Sequence, residues 1–270
     1  MKSHRLITLL TDFGDRDVYV GVMKGVIAQI APQSQVIDLT HQIPPQNLLA
    51  ARFALLNAYP YFPQDAIHVA VVDPGVGSQR RGIALKLNRG YLVCPDNGLC
   101  SGILDSAISF AGTRSVIAAV ELTNECYWRL PNPSNTFHGR DIFAPVAAHL
   151  ANGVSFKELG QAIELESLVR LDLPSLEVNQ SEIRGYIQDI DGFGNLITNI
   201  PGDLVTHKSW QIIIKNIEIN SGKTYSNVIE GEVVSLIGSH GWVEIAINGG
   251  DAARQLKLTW QDRVQLIINN

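Results

Sequence analysis

Through the first two-thirds of the chain, short apolar runs alternate with helical spacings. This alternation constrains the fold more than any other feature. Residues 6–11 form an apolar run that ends in the polar turn Asp12-Phe13-Gly14-Asp15, the pattern of a buried strand. Residues 18–31 then carry Val22, Met23, Val26, Ile27 and Ile30 at helical spacing, with Pro32 as the stop. A strand at 36–39, an Ala/Leu-rich helix at 48–61 and a strand at 67–72 running into Asp73-Pro74-Gly75 follow. Runs at 83–87 and 91–93 flank Asn88-Arg89-Gly90, a hairpin signal. A strand at 116–120, a helix at 141–150 and a short helix after Ser155, opened by capping-box spacing to Glu158, complete this half. The pattern predicts an α/β domain, Rossmann-like, with a mainly parallel sheet covered on both faces. Such sheets hold ligands at the C-terminal ends of their strands, and Asp12 and Asp73 both fall at such ends.

The texture changes near Leu173-Pro174-Ser175. Short strands at 183–190, 210–219, 232–237, 242–247 and 264–268 are separated by Gly and Asn turns, and no long helical pattern remains. A smaller all-β barrel fits this half. The expected domains are residues 1–178 and 179–270. A chain of 270 residues with 46% apolar and 17% charged side chains can build both cores.

Composition removes several classes of partner. The net charge of -5 leaves no basic surface for nucleic acid. Cys94, Cys100 and Cys126 form neither a CxxC pair nor an even set, so neither a disulfide framework nor zinc is expected. The apolar stretch near the N-terminus stops at Asp12, too short for a signal peptide or membrane span. A cytoplasmic protein with no membrane partner is the expectation.

Each polar motif admits a functional and a bland reading. Asp12 can hold a ribose diol or cap the helix that follows. Residues 72–80, VDPGVGSQR, lack the third glycine of a dinucleotide loop. They form either a surface turn or a stiff loop that folds Arg80 back towards Asp73. DNG at 96–98 is a turn signal. His138 stands just before a helix, where a ligand or an attacking water can be held, although a lone histidine is more often structural; Arg140 and Asp141 read as a surface ion pair. In Asp189-Ile-Asp191-Gly-Phe193-Gly-Asn195 the calcium-loop ligand pattern is missing and metal is rejected. A carboxylate, a ring and an amide there suit an amino acid linked to a nucleobase; the alternative is a turn whose Phe193 is core. Ser239 to Glu244 is a turn before a strand. His4, His41, His68, His149 and His207 have no partner pattern and read as structural.

Taken in order, TDFG (11–14), VDPGVGSQRR (72–81), DNG (96–98), TFHGRDIFAP (136–145), DGFGNLITNI (191–200) and GSHGWVEIAIN (238–248) resemble the S-adenosylmethionine hydroxide adenosyltransferase family, related to the adenosyl fluorinases and chlorinases. The resemblance implies an α/β domain followed by a β-barrel. It also implies a homotrimer whose substrate lies between one subunit's first domain and a neighbour's second; with no Cys/His ligand spacing and scattered carboxylates, no metal or redox cofactor is expected. By the same resemblance Asp12 would bind the ribose hydroxyls, Asp191 the methionine ammonium and Asn195 the adenine edge. Phe193 would pack on the adenosyl group, and Ser239 would meet the methionine carboxylate. Glu244 and the backbone near Ile247 and Asn248 would complete the pocket. Asp73, Arg80 and His138 match the triad that hydroxide-using members place around the attacking water. The halogenases carry Tyr and Ser where this chain has His138 and Gly139. His240 replaces an Arg of the fluorinases, which puts the carboxylate contact in doubt. The implied activity is hydrolysis of S-adenosyl-L-methionine to adenosine and L-methionine. The alternatives are halide transfer and a nucleoside-binding protein without turnover.

Overall fold

The computed structural model describes residues 5–105, 116–215 and 217–269. The chain divides into two compact units, Met1–Leu171 and Asp172–Asn270. No helix among the described residues is long and apolar enough to cross a membrane.

The first unit is built on a seven-stranded sheet. Its strands are β1 (Ile7–Thr11), β2 (Val36–Thr40), β3 (Ile67–Val71), β4 (Gly82–Leu87), β5 (Gly90–Pro95), β6 (Val116–Glu121) and β7 (Gln161–Ile163), in the order β2-β1-β3-β5-β4-β6-β7. The pairs β1–β2, β1–β3 and β3–β5 are parallel, whereas β4–β5, β4–β6 and β6–β7 are antiparallel. The sheet is therefore mixed, not mainly parallel as the alternation predicts. The cause is the Asn88-Arg89-Gly90 turn. It joins β4 to β5 directly, with no room for the helical crossover that parallel neighbours need. Gly90 has a φ of 113°, and a Cβ there would lie 2.1 Å from the Ala66 carbonyl oxygen, so only glycine fits.

Both faces of the sheet are covered, as the buried strand residues require. Helix α1 (Tyr19–Ile30) buries Val20, Met23, Val26 and Ile27, a spacing that puts all four on one face. It shares one core with α4 (Ala144–Ala151) and Phe143. Helices α2 (Leu48–Ala58) and α3 (Ser101–Asp105) share the other core with Ile83, Leu85 and Leu92. Asn47 caps α2 by accepting the Ala50 N–H at 3.0 Å.

The second unit is an eight-stranded antiparallel sheet that curls into a nearly closed barrel. Its strands are β8 (Glu177–Val178), β9 (Glu182–Ile190), β10 (Leu196–Pro201), β11 (Ser209–Ile214), β12 (Ile217–Asn220), β13 (Val233–Ile237), β14 (Trp242–Ile247) and β15 (Arg263–Asn269). The order is β12-β11-β15-β9-β10-β14-β13, with β8 on β9. A bridge between Ser221 and Ser235 draws the two ends of this order together. The predicted single strand at 210–219 is two strands, because Lys215 takes a left-handed φ of 46° and turns the chain back. Strand β10, read in the sequence only as part of a motif, is the partner of both β9 and β14.

Candidate active site

In the first unit, three side chains far apart in sequence are joined by direct hydrogen bonds. Asp73 follows β3, and Arg80 lies in the loop before β4. Arg80 Nε donates to both Asp73 oxygens at 3.0 Å, and one terminal nitrogen donates to Asp73 Oδ2 at 2.5 Å. The same terminal nitrogen lies 2.7 Å from His138 Nδ1. The Arg80 and Asp73 side chains are only 10% and 5% exposed, so the pair is shielded from water. The glycine-spaced loop thus folds Arg80 back onto Asp73, the second of the two readings left open for it. Gly77 is required there: its φ is 77°, and a Cβ would stand 2.3 Å from the Asn135 carbonyl oxygen.

The contact with Arg80 fixes the state of His138. A guanidinium has hydrogen-bond donors and no acceptor. His138 Nδ1 must therefore accept, which leaves the ring neutral with its hydrogen on Nε2. Burial, and then the positive charge of Arg80, hold the His138 pKa below its ordinary value, against the opposing pull of Asp73 and Asp141.

The loop that presents His138 is anchored by Asp141, which is fully buried. It accepts from Arg140 at 2.7 and 2.6 Å, from Arg129 at 3.2 Å and from the Ser134 N–H at 2.9 Å. Burial alone would raise its pKa, but these donors outweigh it and hold the carboxyl at about 2. The predicted surface ion pair is thus a buried anchor. The predicted helix at 141–150 opens one turn wider: Gly139–Phe143 is π-helical and runs into α4, a feature often found beside functional sites. The DNG motif acts from behind. Asn97 Nδ2 donates to the Val72 carbonyl at 2.9 Å, and Asp96 pairs with Arg81 at 2.5 Å, bracing the chain on both sides of Asp73 and Arg80.

Asp12 ends β1. Its Oδ2 accepts the Gln46 N–H at 2.8 Å. Phe13 meets Phe137 edge-on at 5.9 Å, so the neighbours of Asp12 and His138 touch. Gly139 is lined by the same rings: a Cβ there would lie 3.1 Å from Met23 Sδ and 3.3 Å from Phe137.

In the second unit Asp191 is satisfied within its own turn, whereas Glu244 and Asn248 bond to more distant residues. Asp191 Oδ1 accepts the N–H groups of Phe193 and Asn195, and Oδ2 accepts Asn195 Nδ2, all at 2.9 Å. Asn195 is only 6% exposed, whereas Phe193 is 81% exposed and is not core. Ser239 is exposed at the β13–β14 turn. Glu244 is buried, with Oε1 accepting from the Tyr225 hydroxyl at 2.9 Å and Oε2 lying 3.1 Å from His240 Nε2. The Trp242 N–H donates to His240 Nδ1 at 3.1 Å, which leaves Nε2 to donate to Glu244. Burial, followed by Glu244, pushes the Tyr225 pKa up to about 12. Burial pushes Asp189 up to about 7, assisted by Asp191. Ile247 is buried in the barrel core. The Asn248 N–H and carbonyl bond to Glu232 and Gly231 at 3.0 and 2.8 Å. Tyr225 was missed in the sequence because it sits in a Ser/Asn loop with no motif around it. Among the described residues, no group of three His, Cys, Asp or Glu could hold a metal ion.

Comparison with known proteins identifies both parts of the chain. Residues 7–160 match the SAM hydroxide adenosyltransferase N-terminal domain, and residues 185–265 match the C-terminal domain. A protein of Salinispora tropica named (R)-S-adenosyl-L-methionine hydrolase is 41% identical over 96% of this chain and 97% of its own length. One of the same name from Thermus thermophilus is 39% identical over 94% and 96%. A crystal structure of an uncharacterized conserved protein from Thermotoga maritima superposes with a TM-score of 0.88 at 34% identity, covering 97% of this chain and 99% of that one. A fluorinase from an Actinoplanes species is more distant, 26% identical over 72% of this chain and 71% of its own. The chain belongs to the SAM hydroxide adenosyltransferase family.

Proposed function

We propose that the protein hydrolyses S-adenosyl-L-methionine to adenosine and L-methionine by attack of water at C5′. The observation that carries this reading is the position of Arg80, bonded at once to Asp73 and His138. The sulfonium leaves as a neutral thioether and takes the C5′–S electron pair, so no acid is needed at sulfur. What must be supplied is an aimed water with a place for its proton, since bulk water has a pKa of ~15.7.

Arg80 cannot accept that proton, and His138 Nδ1 is occupied by Arg80. Asp73, whose Oδ1 accepts from Arg80 Nε, is the acceptor. His138 Nε2–H and the guanidinium stabilise hydroxide character on the oxygen that bonds to C5′. Positioning supplies several kcal/mol, and base action roughly 10²–10⁴ in rate. Asp12 holds the ribose. Asp191, Phe193, Asn195, Ser239, Glu244 and the chain at Ile247 and Asn248 form the adenosine and methionine side of the pocket. That pocket is completed between subunits of a cytoplasmic homotrimer. Halide transfer is disfavoured by His138 and by the crowding at Gly139, where an added side chain presses on Met23 and Phe137.

The test is to incubate pure protein with S-adenosyl-L-methionine in water enriched in heavy oxygen, with and without chloride and fluoride. The expected products are methionine and adenosine carrying one heavy oxygen at C5′. A 5′-halogenated nucleoside, an unlabelled adenosine or absence of turnover would contradict the proposal.

A further inference from the structure

Behind Asp12 lies a polar chain that the reaction itself does not use. Thr11, fully buried at the end of β1, has its Oγ1 2.8 Å from His41 Nδ1. That oxygen also accepts the Phe13 N–H at 3.2 Å. On its far side, His41 Nε2 lies 3.1 Å from Asp38 Oδ1, an ion-pair distance though off the hydrogen-bond axis, and Lys24 Nζ holds Asp38 Oδ2 at 2.6 Å. A carboxylate facing Nε2 favours the hydrogen there. Nδ1 is then the acceptor, and the Thr11 hydroxyl donates to it.

The backbone of the same segment grips the same turn. The Gly14 N–H donates to the His41 carbonyl at 2.8 Å, and Gln42 Nε2 donates to Asp15 Oδ2 at 2.5 Å. Gln46, whose φ of 62° is rare for a residue with a Cβ, aims its N–H at Asp12 Oδ2. A bulge explains how His41 reaches Thr11. Leu9 pairs with Asp38 but Leu10 with Thr40, so β2 carries one extra residue. Such a bulge re-aims the side chains beyond it, and the next step along brings His41 level with Thr11.

We infer that His41 is a positioning residue for Asp12. Through the Thr11 hydroxyl and its own carbonyl it fixes the turn, so that Asp12 spends Oδ2 on Gln46 and keeps Oδ1 for the ligand's diol. The inference rests on the reading of Asp12 as the ribose ligand.

The test compares His41→Leu, His41→Asn, Thr11→Val, Thr11→Ser and Asp12→Ala with the wild type. It measures calorimetric Kd for adenosine and 2′,3′-dideoxyadenosine, and KM and kcat for S-adenosyl-L-methionine. His41→Leu and Thr11→Val are expected to weaken adenosine about tenfold and raise KM alike, with dideoxyadenosine affinity and kcat within about threefold. His41→Asn keeps a polar atom near Nδ1 and Thr11→Ser keeps the hydroxyl, and both should recover most of the loss. If His41→Leu does not fold, the isosteric Thr11→Val decides. Equal loss for both ligands, or no rescue by Asn and Ser, overturns the inference. Asp12→Ala that leaves the preference for adenosine over its dideoxy analogue intact overturns the ribose reading and the inference with it. Asp12→Ala that abolishes the preference, with His41→Leu or Thr11→Val that does not, overturns the inference alone.

Discussion

The Asp73–Arg80–His138 cluster of the first unit and the Asp191 turn of the second hold polar side chains in different ways. In the first, partners come from distant parts of the chain: Asp73 and Arg80 stand seven residues apart, and Arg80 and His138 fifty-eight. All three are held by folding of the whole unit, and the charged pair is nearly dry. In the second, Asp191 is satisfied by residues two to four positions on, and its neighbour Phe193 faces solvent. The first arrangement resembles preorganised electrostatics, which need a water-excluded site and no reorganisation at the moment of reaction. The second is a local turn, whose groups are the proposed binding groups. Apart from the ribose contact proposed for Asp12, chemistry and binding are therefore expected to separate between the two clusters, and substitutions in them should separate likewise.

The largest effect is expected at Arg80. Arg80→Ala leaves Asp73 without its partner and frees the His138 tautomer, and steady-state assays should show turnover down by about 10³–10⁴. A loss under tenfold would mean that the three groups do not act together. Next comes Asp141→Asn. Losing the charge that Arg140 and Arg129 hold should cost about 2 kcal/mol, the size that its depressed pKa implies, to be read from urea unfolding at pH 7. Because the folded Asp141 pKa is depressed to about 2, its stabilisation is complete above the ordinary carboxylate range and is lost as pH falls from about 4 towards 2. Unfolding midpoints measured across that range in wild type and Asp141→Asn should converge at the acid end; parallel curves would contradict the assignment. Gly77→Ala follows: a Cβ driven against the Asn135 carbonyl at a left-handed φ should cost about 1–3 kcal/mol and lower turnover by displacing the Arg80 loop. In the other unit, Phe193→Ala should leave thermal stability within about 0.5 kcal/mol while weakening ligand affinity. A clear drop in melting temperature would make the ring structural.

How much of this was legible in the sequence follows the same division. Local signals held: the strand ends at Asp12 and Asp73, the Asn88-Arg89-Gly90 turn and the helical face of α1 are each set by residues a few positions apart. Long-range consequences were legible only through the family resemblance, which groups Asp73, Arg80 and His138, and not from local pattern. Nothing in Gly-spaced residues 75–77 states that the loop folds Arg80 back rather than outwards, since that depends on the fit of Gly77 beneath Asn135. Arg140-Asp141 looks like a surface pair until Arg129 and Ser134 close over it. In its own segment His41 faces Asp38; Thr11 reaches it because β2 is bulged, and a parallel bulge leaves no mark in hydrophobic periodicity. Lys215 broke a predicted strand because a left-handed residue other than glycine is invisible to composition.

The most direct test of the division of labour pairs His138→Ala with Asp191→Ala, each followed by single-turnover kinetics and by calorimetric binding of S-adenosyl-L-methionine. His138→Ala should slow the chemical step by about a hundredfold or more with affinity nearly unchanged, because its proposed contact is to the attacking water and would strengthen in the transition state. Asp191→Ala should do the reverse, weakening affinity with the bound rate nearly intact. If His138→Ala turned over at the wild-type rate, or if both variants lost affinity alone, the first unit would not be the seat of the chemistry.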